Sequence, residues 1–291
     1  MRSTQWDVDG RKVFGLVAGE GEPVLLLHGY PQSASCWRHQ IEALAANHHV
    51  VVPDWPGFGR SDPPSTAPTH DNEIDRIERF VQRLGWQRFN LCAHDYGGLI
   101  GLGYAIRHPE RVLRLALLNT RAHGIFRPSF YRFSAAQHWI ATHPAASVVA
   151  RNLPLARLHH LALSRYREIG CFDAEQEAQY LGWMSTRQGR RTYWEFFAHY
   201  PVPAVPWLAE RLGTIQCPVS VIWGDRDPYI PLRTAHELAE RIPHAELVRL
   251  RGANHYIMEE RPHEVTEALL GLLGSPVASG TEISARPSGS T

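Results

Sequence analysis

Residues 91–98 read Leu91-Cys92-Ala93-His94-Asp95-Tyr96-Gly97-Gly98, and this stretch decides the fold. It closes an apolar run, FNLCAHD (89–95), and leads into a helical pattern over Leu99–Ile106. Ala93 and Gly97 stand two positions either side of Asp95, giving the form small-x-nucleophile-x-Gly. Bulk at either small position would hold strand and helix apart at so sharp a turn. An inert turn is the plain alternative, but a carboxylate on an apolar turn is costly without a purpose. The helix that follows directs its dipole and free N–H groups toward Asp95, which favours the ionised form.

Outward from this turn, short apolar runs alternate with helical patterns. PVLLLHG (23–29), HVVVPD (49–54), VLRLALLN (112–119), CPVSVIWGD (217–225) and AELVRLRG (245–252) predict further buried strands. Their near-continuous Val, Leu and Ile content suits a parallel sheet covered on both faces. Asn72–Leu84 carries Ile74, Ile77, Phe80, Val81 and Leu84 at helical spacing, and Leu232–Ile242 and Val265–Leu273 also predict helices. The alternation gives an α/β class with a mostly parallel, doubly wound sheet. Between about Thr120 and Gly213 it breaks into aromatic-rich helical segments with no convincing strand. The expected division is a core over 1–120, a helical lid over 121–213, a second core part over 214–274, and a disordered Ser/Gly/Pro-rich tail over 275–291. Such a lid would lie over the sheet's C-terminal edge, where open α/β sheets bind ligands.

The 291 residues include 30 Lys plus Arg and 29 Asp plus Glu, a formal net charge of +1. That balance offers neither the footprint of a nucleic-acid partner nor a polybasic membrane patch. The N-terminal residues MRSTQWDVDGRKVF lack an apolar signal region, and no apolar run reaches the roughly 18 residues of a membrane span. Cys36, Cys92, Cys171 and Cys217 form no CxxC pair and are expected as small buried hydrophobes. A cytoplasmic protein is the expectation, and the oligomeric state is not legible.

With Asp95 in place, the chain resembles the α/β-hydrolase family over roughly residues 10–273. Four more motifs carry the resemblance: His28-Gly29-Tyr30-Pro31 at the oxyanion loop, Asp54-Trp55-Pro56-Gly57-Phe58-Gly59-Arg60-Ser61, Gly224-Asp225-Arg226-Asp227-Pro228 at the acid loop, and Gly252-Ala253-Asn254-His255. The order nucleophile, acid, His is the family's own. The resemblance implies an α/β-hydrolase fold with Asp95 as nucleophile, His255 as base and Asp227 as its acid. Asp225 would then be a solvated loop carboxylate, and the alternative acid slot, Leu118-Asn119-Thr120, has no carboxylate. His28 and His94 flank these turns and are expected to hold loop geometry.

An aspartate nucleophile is already ionised, so it can attack a carbon electrophile directly and form an alkyl-enzyme ester. His255 would activate water to hydrolyse that ester, with the N–H groups of Tyr30 and Tyr96 as the oxyanion hole. The substrate is then a small apolar epoxide or alkyl halide, with water and no metal or organic cofactor. His28-Gly29-Tyr30-Pro31 with Trp37-Arg38-His39-Gln40 resembles the epoxide hydrolases, which protonate the ring oxygen with lid tyrosines. Haloalkane dehalogenases place Trp after the nucleophile, where this chain has Tyr96. Fluoroacetate dehalogenases use an Arg there, and neither Tyr96 nor Leu99 supplies one. In the lid, Tyr193 falls near the expected second tyrosine, His138-Trp139 occupies the first position, and Tyr131 is a rival. Any of these aromatics could simply pack lid against sheet. A haloalkane dehalogenase and a non-catalytic binding protein on the same scaffold are the alternatives.

Overall fold

The computed structural model describes residues 1–122, 127–200 and 205–274, so the expected disordered tail lies outside the described residues. The first half runs β1 (Arg2–Val8), β2 (Arg11–Ala18), β3 (Glu22–Leu27), α1 (Arg38–Leu44), β4 (His48–Pro53), α2 (His70–Arg83), β5 (Phe89–His94), α3 (Asp95–Arg107) and β6 (Val112–Leu118). A helical stretch follows: α4 (Pro128–Thr142), α5 (Pro144–Ala150), α6 (Leu155–Glu168), α7 (Ala174–Leu181), α8 (Arg187–His199) and α9 (Pro206–Glu210). The chain then returns to the sheet with β7 (Val219–Gly224), α10 (Leu232–Arg241), β8 (Ala245–Leu250), α11 (Ile257–Glu260) and α12 (Pro262–Leu273).

One eight-stranded sheet has the order β1-β2-β4-β3-β5-β6-β7-β8. Strands β3 to β8 run parallel, and β2 joins β4 antiparallel, as does β1 to β2. Every residue of β5, β6 and β7 is buried, as expected of strands covered on both faces. This is the mostly parallel, doubly wound sheet with a helical insertion that the sequence predicts.

Three strands differ from expectation. The β1–β2 hairpin is absent from the sequence reading, although Asp9 (φ 56°) and Gly10 (φ 71°) form the Asp-Gly turn that marks a hairpin. Its outer strand, RSTQWDV, alternates with mostly exposed positions and so lacks the apolar run that marked the others. β8 is an edge strand with Glu246 and Arg249 exposed, not a buried one. Cys36, Cys92 and Cys171 are buried, whereas Cys217 is half-buried.

The helical stretch sits over the C-terminal ends of the parallel strands, and polar bonds seat it there. Glu259 on α11 accepts from the Tyr180 hydroxyl of α7 at 2.6 Å and from Arg38 Nη1 at 2.7 Å. Gln32 Nε2 donates to the same carboxylate at 3.3 Å. Burial lifts the Glu259 carboxyl to about 7 in spite of these donors. Aromatic faces add to the seat: Tyr30 stacks on Phe196 of α8 at 5.4 Å and Tyr96 meets its edge at 4.8 Å.

Leu25 in β3 is completely buried, whereas Leu161 on α6 is 69% exposed. Leu25→Ala is expected to lower the unfolding free energy by about 2–5 kcal/mol through lost transfer energy and a cavity. Leu161→Ala should change it by less than about 0.5 kcal/mol. Guanidinium unfolding midpoints of the two variants check the difference.

Candidate active site

Asp95 sits where β5 ends and α3 begins, with a left-handed backbone (φ 50°). A non-glycine residue holds that conformation only when its surroundings fix it. The Thr120 hydroxyl donates to the Asp95 carbonyl at 2.6 Å. The neighbouring glycines leave no space for a side chain. A Cβ on Gly97 would lie 2.5 Å from the His28 carbonyl, and one on Gly29 would lie 2.4 Å from Asp95 Cβ. Ala93, the other small residue of the motif, packs against α3, where a Cβ on Gly101 would meet its own at 3.2 Å. The turn brings the Asp95 side chain up against the oxyanion loop. The Tyr30 N–H donates to Asp95 Oδ1 at 2.8 Å, and the Tyr96 N–H bonds the same carboxylate. Both N–H groups of the expected oxyanion hole therefore converge on this side chain.

The other carboxylate oxygen, Oδ2, faces His255 Nε2 at 3.7 Å. His255 Nδ1 donates to Asp227 Oδ2 at 2.7 Å, so the three expected residues come together in one relay. Asp227 is pinned on every side: Oδ1 accepts the N–H groups of Tyr229 (2.7 Å) and Ile230 (2.9 Å), and Oδ2 also accepts Asn119 Nδ2 at 2.6 Å. Asn119, noted in the sequence only for lacking a carboxylate, is a positioning partner of the acid. Its own Oδ1 accepts the Gly224 N–H at 3.0 Å.

Electrostatics follow from this packing. Burial disfavours the imidazolium of His255, but the Asp227 carboxylate and its hydrogen bond outweigh that, and the ring titrates above its ordinary 6.5. Burial likewise lifts Asp95 above the ordinary carboxylate value, opposed by His255 and the two N–H groups. Asp225 is not the solvated carboxylate expected. Arg249 Nη2 binds it at 2.8 Å and the Gly252 N–H at 2.8 Å, which hold its pKa down and tie the acid loop to the His loop. His28 and His94 do hold loops. The Trp55 N–H donates to His28 Nε2 at 2.9 Å, while His94 bonds Gln32 Oε1 and the His255 carbonyl, each at 3.0 Å.

Asp95 and His255 open onto a cavity of about 600 Å³ between sheet and helical insertion. Tyr193 of α8 lines it, as expected, and is 1% exposed. The other three lid expectations require correction. Trp139 is 58% exposed and stacks on His143, Tyr131 is 40% exposed, and exposed His138 bonds the Phe197 carbonyl at 3.0 Å; none lines the cavity. The helical phase of α4 turns all three away and presents Phe130, Phe133, Ser134, Gln137 and Ile140 instead.

The histidine inside is His159 of α6. Its Nδ1 donates to the Leu155 carbonyl at 2.9 Å, so Nε2 accepts from the Tyr30 hydroxyl at 2.5 Å. Tyr193 and Tyr30 interact through their hydroxyls, and burial keeps both phenols protonated well beyond the ordinary range. Leu155, His159, Leu163 and Tyr166 fall on one face of their helix, a periodicity that could have placed His159 inside. Tyr229 and Tyr256 also line the cavity beside His255, at 5.0 and 5.3 Å between ring centroids. Both stand within two residues of a motif residue, Asp227 or His255, which was the signal for them. Among the described residues, no three His, Cys, Asp or Glu side chains are grouped to hold a metal ion.

Compared with known proteins, residues 22–262 match the alpha/beta hydrolase fold family. A cis-3-alkyl-4-alkyloxetan-2-one decarboxylase of Xanthomonas campestris pv. campestris is 29% identical over 84% of this chain and 86% of its own. Epoxide hydrolase 3 of Xenopus tropicalis is 26% identical over 86% of this chain and 71% of its own. A haloalkane dehalogenase of Mycolicibacterium paratuberculosis is 30% identical over 86% and 83%. No described helix is long and apolar enough to cross a membrane.

NMR titration of the His255 ring protons should give a midpoint above 6.5, and Asp227→Asn should move it down, because burial then acts without the neighbouring charge. A midpoint that does not respond to Asp227→Asn would remove Asp227 as the partner of the base.

Proposed function

We propose that this chain, which belongs to the alpha/beta hydrolase family and carries aspartate in the nucleophile slot, is an epoxide hydrolase. The observation that carries this reading is the division of labour between the two Asp95 oxygens beneath a cavity with phenols in its roof. Oδ1 is held by the Tyr30 backbone N–H, and Oδ2 faces the base. Oδ2 attacks a ring carbon, its electron pair forms the new C–O bond, and the ring C–O bond breaks toward oxygen. The emerging alkoxide takes a proton from the Tyr193 hydroxyl, which burial keeps protonated. His255 then removes a proton from water, whose oxygen attacks the ester carbon. The oxyanion forms at Oδ1, where the Tyr30 and Tyr96 N–H groups stabilise it. Collapse frees a vicinal diol and restores the Asp95 carboxylate. The proton held by His255 returns to the tyrosinate.

Halide departure fits this cavity less well. Trp194 is the lining indole, and its Nε1–H is already donated to the Ala150 carbonyl at 3.1 Å. The Tyr96 side chain packs on Phe58 and Phe196, away from Oδ2.

A second reading draws support from the oxetan-2-one decarboxylase relative. The same Oδ2 could open a four-membered lactone at its alkyl carbon and free a carboxylate. Loss of CO₂ would then form an alkene and expel Asp95, with no water consumed. The products separate the readings: a diol from an epoxide, against CO₂ and an alkene from an oxetan-2-one.

His255→Ala leaves attack by Asp95 possible but removes the base. Intact-protein mass spectrometry after exposure to terminal epoxides should show an adduct of the whole epoxide mass, mapped to Asp95. Diol formation by Asp95→Ala would overturn the mechanism. An adduct equal to an alkyl halide less hydrogen halide, with none from epoxides, would favour the dehalogenase.

Hydrolysis needs neutral His255, so wild-type turnover should fall as pH drops through its raised pKa, and the ester should accumulate on the acid side. Pre-steady-state quench and mass analysis across that range check the direction.

A further inference from the structure

Two polar side chains of the cavity wall take no part in the chemistry above. Ser134 of α4 is completely buried, lines the cavity, and its Oγ has no hydrogen-bond partner among the described residues. A serine inside a helix commonly bonds back to a carbonyl of the preceding turn, but Ser134 does not. One turn on, the Oε1 of Gln137 is also buried, lines the same cavity and has no partner. Residues three apart share a helix face, so the two unpaired groups lie side by side.

Their distance from the reacting centre can be read along α4. Phe130 lies at the catalytic end, its ring 5.2 Å from that of Tyr229, which packs 5.0 Å from His255. From Phe130 to Gln137 the helix axis rises about 10 Å. Phe133, Ile140, Leu155 and Leu163 make the intervening wall apolar.

We propose that Ser134 and Gln137 form a subsite for a hydroxyl group at the far end of an otherwise apolar epoxide, an inference that rests on the epoxide reading above. Gln137 Oε1 only accepts, so the occupant must donate to it. Ser134 Oγ can donate in return, so the occupant must also accept. A hydroxyl does both, whereas a methyl does neither and would leave two buried polar atoms unpaired.

Two terminal epoxides of about eight to ten carbons span that rise of about 10 Å, one ending in a hydroxyl and one in a methyl. Wild type should favour the hydroxyl-ended epoxide in kcat/KM by about tenfold, the effect of one or two neutral hydrogen bonds. The double variant Ser134→Ala, Gln137→Met should abolish the preference, lowering kcat/KM for the hydroxyl-ended epoxide relative to the methyl-ended one by about tenfold. Equal kcat/KM for the two epoxides in wild type, or a preference that survives in the double variant, would overturn the subsite. Should the double variant not fold, the wild-type pair decides alone.

Calorimetric binding of two unreactive primary amides, with and without the terminal hydroxyl, keeps the two readings apart. A tenfold advantage for the hydroxyl-ended amide, with no epoxide turned over, would leave the subsite standing and the epoxide reading refuted. Turnover of both epoxides with no hydroxyl advantage in either assay would do the reverse.

Discussion

Asp95 occupies a left-handed backbone turn with no room around it, and the remaining architecture can be traced from that constraint. The turn closes only because Gly29 and Gly97 let the oxyanion loop and α3 approach to within a missing Cβ. That approach places the Tyr30 and Tyr96 N–H groups on the Asp95 carboxylate, with Oδ2 toward His255. The parallel sheet supplies the rest. β6 ends just before Asn119, β7 before Asp227 and β8 before His255, so three adjacent strand ends deliver the acid, its amide partner and the base to one place.

The relay is anchored through its acid. Asp227 accepts four hydrogen bonds, from His255, Asn119 and two backbone N–H groups. A buried carboxylate held by so many donors fixes both the tautomer and the tilt of the ring it faces. His94 reinforces the arrangement from behind by bonding the His255 carbonyl. Asp225, two residues from the acid, ties β7's loop to Arg249 and Gly252, so neighbouring carboxylates divide into one that orients the base and one that fastens loops.

Much of the site was legible in the sequence because its members belong to short local strings. Asp95, Asp227, His255, Tyr30 and Tyr96 each stand in a turn whose neighbours are dictated by sterics within a few residues. The lid residues were not legible in that way. The spacing of Leu155, His159 and Leu163 was the one signal for His159; whether His138 reaches the cavity depends on the rotational setting of α4 on the sheet, which packing decides. Trp139 and Tyr131 share that fate, on the outer side of α4. The β1–β2 hairpin escaped for a different reason: an edge strand buries little, so its apolar signal is weak, although its Asp-Gly turn was written plainly. Asn119 was read for the charge it lacks, not for the amide it offers to the acid.

The nucleophile and the base belong to the sheet, whereas Tyr193 and His159 belong to the helices above it, and the Tyr30 hydroxyl bonded to His159 spans the gap. Bond cleavage in the proposed reaction needs both halves in register. The carboxylate is poised by the sheet alone, whereas the position of the Tyr193 hydroxyl is set by the packing of α8. Nucleophile and acid are thus fixed by separate layers, so a change in the seating of α8 would leave the first intact and misplace the second.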